Sequence, residues 1–145
     1  MTMNFVKIFL LPLILALSAC TDNEKEIDAS ENPEQISISF FSALYNDKDI
    51  KKAAAVCSPQ LSRIILHYRS APAVGRNLFN MSYDHVDIKT EDSGVKVRQL
   101  FKNKATITIY FDGKYQNERI KDIKRLALIQ KDGRWYIDKI LKDPF

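Results

Sequence analysis

Hydrophobic periodicity changes once along this chain, and that change limits its fold more than any other feature. From Pro33 to Tyr68 apolar residues recur at helical spacing, whereas from Tyr83 onward they alternate with period two. Asn32-Pro33-Glu34-Gln35 reads as a helix start, with a capping asparagine, proline at the first helical position and a glutamine able to reach back. Ile36, Phe40, Phe41 and Leu44 then form a wide apolar stripe, which Asn46-Asp47-Lys48-Asp49 ends. A short alanine-rich helix is expected over Ile50 to Cys57. Ser58-Pro59 starts a third, with Leu61, Ile64, Ile65 and Tyr68 on one face, and Ala71-Pro72 through Gly75 reads as a loop.

In the second half, Asp84-Val86-Ile88-Thr90 alternates with Tyr83-His85-Asp87-Lys89, and Glu91-Asp92-Ser93-Gly94 is expected to turn the chain. Val95, Val97 and Phe101 alternate with Lys96, Arg98 and Lys102 before a tight turn at Lys102-Asn103-Lys104. Ala105, Ile107, Ile109 and Phe111 alternate with Thr106, Thr108 and Tyr110. Asp112-Gly113 opens a polar loop expected to reach Arg119. Ile120 to Gln130 makes a long strand, Asp132-Gly133 gives a strong hairpin signal, and Trp135 to Leu141 is the last strand. Helices followed by an antiparallel meander specify an α+β domain.

That order, with Ala53-Ala54 on the second helix and the closing Asp132-Gly133-Arg134-Trp135-Tyr136-Ile137, resembles the nuclear transport factor 2-like, or cystatin-like, cone over roughly Pro33 to Leu141. The resemblance implies N-terminal helices packed on a curved antiparallel sheet, with a pocket at the open end. Several bacterial lipoproteins of unassigned function share that shape.

The N-terminus carries a different signal. Met1 to Lys7 holds one positive charge, an apolar run follows from Ile8 to Leu17, and small residues lead into Cys20. These are the three parts of a secretory signal. The apolar run is about ten residues, against roughly 20 needed to span a bilayer as a helix. Leu17-Ser18-Ala19-Cys20 resembles the lipobox of bacterial lipoproteins, the alternative being an ordinary signal with a chance cysteine. The resemblance implies cleavage before Cys20, lipid on its sulfur and two or three acyl chains, enough for a lasting tether. Thr21 is not the aspartate commonly used for inner-membrane retention, which points to the periplasmic leaflet of the outer membrane. The expected organisation is therefore a signal peptide over 1–19, a lipidated cysteine and acidic tether over 20–32, and one domain over 33–145.

Thr21 to Gln35 holds six acidic residues, one lysine and almost nothing apolar, so it buries too little to offset its ordering entropy. The stretch from Thr21 to Glu31 would span roughly 35–40 Å fully extended and nearer to ~18 Å as a coil. The whole chain carries +4, so with Lys7, Lys25 and those acids set aside the remainder carries about +8. A basic domain beside an envelope points to peptidoglycan or anionic lipid as partners, or to a solvated basic surface. An extracytoplasmic address argues against nucleic acid. With Cys20 lipidated, Cys57 stands alone in Ala53-Ala54-Ala55-Val56-Cys57 and reads as a buried small hydrophobe, an intermolecular disulfide being the alternative. No metal or redox spacing exists, and no cofactor is expected.

The cone family includes isomerases and dehydratases with Asp/His or Tyr/Asp pockets, and only His67 and His85 could supply a histidine here. His85 shares a strand face with Asp87 and Lys89, opposite Val86 and Ile88, and is expected in solvent. His67 flanks the apolar stripe of its helix. No acidic residue falls cleanly within an apolar stripe, and no Ser/His/Asp arrangement or phosphate loop is present, so no catalytic residue is expected. In the closing hairpin, pairing of Gln130 with Trp135, Leu128 with Ile137 and Leu126 with Lys139 would put Leu126, Leu128, Trp135, Ile137 and Leu141 on the core face. Ile123, Ala127, Ile129, Tyr136 and Ile140 would share the other face, with Arg125 diagonal to Asp138. That face is too apolar for solvent alone. Ile123, Arg125, Ile129, Tyr136 and Ile140 are candidate interface residues for a homodimer or protein partner, unless a loop or the Phe79 segment covers them. The reading that results is a non-enzymatic, membrane-anchored periplasmic lipoprotein binding a ligand or partner. An envelope accessory acting through its basic surface comes second, and an isomerase- or hydrolase-type enzyme third.

Overall fold

The computed structural model describes residues 32–90 and 98–143, with backbone alone at 98–101. Helix α1, Pro33–Tyr45, begins where Asn32 Oδ1 accepts from the Gln35 N–H at 2.8 Å. It ends at Asn46, whose side chain leaves the helix to pair with a strand: Nδ2 donates to the Val86 carbonyl and Oδ1 accepts from the Val86 N–H, both at 3.0 Å. The expected stripe of Ile36, Phe40, Phe41 and Leu44 is fully buried, and Ser37, Ala43 and Tyr45 are buried with it. The helix is thus enclosed on most of its circumference, between the sheet and the other helices.

Asp49 and Ser58 cap α2, Ile50–Ala55, and α3, Pro59–His67. Only Leu61 and Ile65 of α3 are buried; Ile64 is 43% exposed. The packed strip is therefore narrower than the spacing suggested. The stretch from Ala71 to Gly75 is not a loop. Ser70 Oγ accepts from the Ala73 N–H at 3.3 Å and starts α4, Ala71–Val74, which runs on into a π-helical turn, Gly75–Phe79. Together they bury Ala71, Val74 and Phe79, hydrophobic gains that outweigh the local loop signal of Ala-Pro and Gly.

Five strands follow: β1 His85–Thr90, β2 Arg98–Phe101, β3 Lys104–Tyr115, β4 Glu118–Lys131 and β5 Arg134–Leu141. All pairings are antiparallel, in the order β1-β3-β4-β5, with β2 also on β3. Since β4 takes one edge of β3 along its length, β1 and β2 share the other edge and run in the same direction. Eight positions separate Thr90 from Arg98, while their partners Ile109 and Ile107 are two apart. β1 and β2 therefore lie along one strand line, and the expected reversal at Glu91 to Gly94 lies outside the described residues.

Two further expectations change. The supposed loop from Asp112 to Arg119 is strand: β3 continues to Tyr115, and a two-residue turn places Gln116 and Asn117 at φ 50° and 67°, the conformation that closes tight hairpins. The polarity that suggested a loop belongs to a charged outer face, where Arg119 donates to Asp112 at 2.7 Å. In the β4–β5 hairpin the pairs Gln130–Trp135 and Leu128–Ile137 form as expected, but a bulge at Asp138 makes Leu126 face Ile140 and Ala127 face Lys139. One extra residue turns every later side chain over. Ile140 consequently packs against the core, and Leu141 moves to the outer side.

The inner face of the sheet presents Ala105, Ile107, Ile109 and Phe111 of β3, Leu126 and Leu128 of β4, and Trp135 and Ile137 of β5, all buried against the helices. The helical layer is also stitched to β5. The Ser58 N–H donates to the Ile137 carbonyl at 2.7 Å and the Ile137 N–H to that of Val56 at 2.9 Å, which shields an edge that would otherwise invite pairing. The result is the expected α+β arrangement, helices packed on a curved antiparallel sheet.

Candidate functional site

Strand parity decides what lines the interior. Counting back by two from Leu128 along β4 gives Leu126, Lys124, Asp122 and Ile120, so a cation and a carboxylate occupy the inward row. Lys124 is 7% exposed, against 0% for Leu126. Its Nζ lies 2.8 Å from Asp143 Oδ2 and 3.5 Å from Asp122 Oδ1. Across the ladder Lys124 faces Ile109 and Asp122 faces Phe111. On the other side β5 pairing stops at Leu141 opposite Arg125, so among the described strands Glu118 to Lys124 has only β3 as a neighbour. Among the described strands, this end of β4 is thus an unpaired edge, the open half of the ladder.

Two tyrosines cover this wall. Tyr45 comes from the last turn of α1 and Tyr83 from the segment before β1, and their rings meet edge to face at 5.3 Å. Tyr83 stacks on Phe111 at 6.1 Å, and Phe41 meets Phe111 edge-on at 4.8 Å. Each tyrosine sits on a glycine. A Cβ at Gly75 would stand 2.9 Å from Tyr45 Cε1 and from the Met81 carbonyl, and one at Gly113 2.7 Å from Tyr83 Cδ1 and 2.6 Å from the His85 carbonyl, so any larger residue would clash with ring and backbone together. Lys48 Nζ donates to the Tyr83 carbonyl at 2.7 Å and fixes that segment from behind. Its own pKa is lowered by burial, with Asp84 opposing.

Both tyrosines are only 3% exposed, yet among the described residues neither hydroxyl has a hydrogen-bond partner. Burying a hydroxyl without a partner costs roughly 1–3 kcal/mol, so the wall holds two such penalties side by side. Burial is also the main cause pushing both phenol pKa values above the ordinary tyrosine range, aided for each by the negative charge of Asp122. Both groups therefore stay protonated and act as neutral O–H donors. Asp122 Oδ1 accepts from the Ile123 N–H at 2.7 Å. The wall thus combines two donors lacking an acceptor, one carboxylate at the rim, and an ammonium already shared between two carboxylates.

None of these four side chains was a candidate from the sequence. Parity along the β4 row is the signal that could have found Asp122 and Lys124. Tyr83 read as an outward neighbour of His85, but β1 begins only at His85, and the bend at Asp84 turns Tyr83 inward. His85 is exposed, as expected, and so is His67. Cys57 is buried, its Sγ 3.4 Å from the Ala53 carbonyl, with the thiol pKa pushed up to about 12 by burial. Ile123, Arg125, Ile129 and Tyr136 share the outer face and are each partly exposed, joined by Tyr110, which pairs with Ile123. Ile140, on the inner side of the bulge, is not part of that group. Cys20 lies outside the described residues. Among the described residues no three His, Cys, Asp or Glu side chains are grouped to hold a metal ion, and no helix is long and apolar enough to cross a membrane.

No family model and no curated protein matches the chain. Solved structures do. The solution structure of RPA3114, a SEC-C motif containing protein from Rhodopseudomonas palustris, aligns at 14% identity and a TM-score of 0.56, over 79% of this chain and 80% of that one. An NTF-2 like protein of unknown function from Shewanella oneidensis aligns at 12% identity and a TM-score of 0.46, over 71% and 88%. A chain of the Rd1NTF2 series gives 8% and 0.49, over 72% and 90%. The first likeness and the strand order together show the fold: an α+β cone of helices on a curved antiparallel sheet.

Proposed function

We propose that this chain is a lipid-anchored, non-enzymatic binding protein of the bacterial envelope, whose cone takes a small ligand at the Tyr45–Tyr83–Asp122 wall. The observation that carries this reading is the pair of buried phenols without partners beside a rim carboxylate. Folding does not tolerate such groups without return, and donors held in place before binding favour affinity because they need no further ordering. The anchor is lipid on Cys20, in the periplasmic leaflet of the outer membrane. Metabolic labelling with a fatty acid should mark the wild type and not Cys20→Ser, which should leave the membrane fraction or accumulate uncut; equal membrane partition with no label on either would end this part of the reading. For the cone, a fragment library screened by thermal shift should yield binders that Tyr45→Phe with Tyr83→Phe loses.

A second reading rests on the opposite end of the sheet. The turns at Lys102-Asn103 and Asp132-Gly133 lie together, joined by the Gln130 N–H donating to the Asn103 carbonyl at 2.8 Å. Among the described residues they gather Lys102, Lys104, Lys131 and Arg134, all exposed, with Asp132 between them in sequence. Such a cluster favours anionic lipid or peptidoglycan, with attraction that fades as salt rises. Retention on isolated cell wall that survives high salt would count against it.

A further inference from the structure

The same wall restricts what its ligand is made of, and the restriction rests on the ligand-binding reading above. Three unmet demands meet at one place. Tyr45 and Tyr83 each need an acceptor for O–H, and Asp122, with one oxygen on the Ile123 N–H, makes no hydrogen bond through the other among the described residues. Lys124 adds no net attraction for anions, because Asp143 at 2.8 Å and Asp122 at 3.5 Å outnumber its charge. The local sum is one negative charge beneath aromatic rings.

A carboxylate ligand would accept from both phenols but would face Asp122 and a net negative wall. An ammonium ligand would suit Asp122 and the rings but would leave both phenol hydrogens without acceptors. A group with a carbonyl oxygen beside an N–H meets all three, since its oxygen accepts from the phenols and its N–H donates to the carboxylate. We propose that the cone binds a neutral molecule with an amide edge, its carbonyl on Tyr45 and Tyr83 and its N–H on Asp122. Both hydroxyls are closed to solvent here, so a ligand reaches them only if the rings above them give way.

Three probes with one body and different heads test this: benzamide, benzoate and benzylamine, read by saturation-transfer NMR on the full lipidated protein in nanodiscs, with empty discs as the blank. Benzamide should give the strongest signal. Tyr45→Phe with Tyr83→Phe, and separately Asp122→Asn, should each weaken it about tenfold or more, while thermal melts show both variants folded. Benzoate or benzylamine binding in its place, with loss in the same variants, would overturn the amide class and leave the site standing. Binding by none of the three, or benzamide binding unchanged in the variants, would overturn both.

Discussion

The two halves of the β3–β4 ladder are built from the same backbone and carry opposite contents. Toward the β4–β5 turn the inward pairs are Ala105 with Leu128 and Ile107 with Leu126, all buried hydrocarbon. Toward the β3–β4 turn they become Ile109 with Lys124, Phe111 with Asp122 and Gly113 with Ile120. One half satisfies the ordinary demand of a core. The other keeps two hydroxyls unpartnered and an ammonium nearly buried, features that cost stability where a leucine would gain it. The lesson is a division of labour: the closed half holds the fold, and the open half is free to carry chemistry. If so, substitutions in the two halves should differ in size and even in sign.

The largest effect is expected in the closed half. Leu126 and Ile107 are fully buried, and cutting either to alanine removes methylenes and leaves a cavity. Leu126→Ala or Ile107→Ala should each cost about 2–5 kcal/mol in denaturant titrations. A loss below about 1 kcal/mol would show that this half is as loosely packed as the other.

Next comes Lys124. Replacing it with methionine keeps the stem but leaves Asp122 and Asp143 without the shared cation. Breaking a fully buried pair is severe, but the Asp122 and Asp143 side chains are 31% and 49% exposed, so solvent takes up most of the loss. Lys124→Met should cost about 1 kcal/mol, and Asp143→Asn less. Equality with Leu126→Ala would mean that the ion pair, not the hydrocarbon, organises β4.

The sign reverses at the tyrosines. Tyr83→Phe and Tyr45→Phe each remove a buried hydroxyl without a partner, and each should stabilise by about 1 kcal/mol at neutral pH. Burial raises both phenol pKa values above the ordinary 10.0. Above that pH the unfolded chain sheds protons that the folded one retains, so wild-type stability falls as pH rises. Calorimetric melts should therefore show the phenylalanine variants' advantage constant below about pH 10 and growing above it. A destabilised Tyr83→Phe would mean that its hydroxyl has a partner after all.

The closed half was the legible half. In Ala105 to Phe111 and Leu126 to Ile137, apolar residues mark the inner face, and period two reads them directly. Where reading failed, local chemistry overrode period: a bulge at Asp138 moved Ile140 inward, and the bend at Asp84 turned Tyr83. The site was hidden for a stronger reason. In Asp122-Ile123-Lys124-Arg125 one inward residue is a carboxylate and the next an ammonium, while isoleucine points out, so hydrophobicity marks the wrong face.

That inversion gives the smallest expected effect on folding and the most specific one on association. Ile123 and Ile129 on the outer face are partly exposed and lie near Tyr110 and Tyr136, in a patch that we propose pairs two copies of the chain. Because neither side chain is fully buried, Ile123→Lys or Ile129→Lys should change stability by no more than about 0.5 kcal/mol. Each should nonetheless shift a dimer to monomer in sedimentation velocity, since a lysine centred on a two-fold contact meets its own copy. A wild type that sediments as a monomer at high concentration would remove the pairing and leave the outward isoleucines needing another cover. The inner wall would be untouched by that result, because Asp122 and Lys124 project from the same strand to the opposite side.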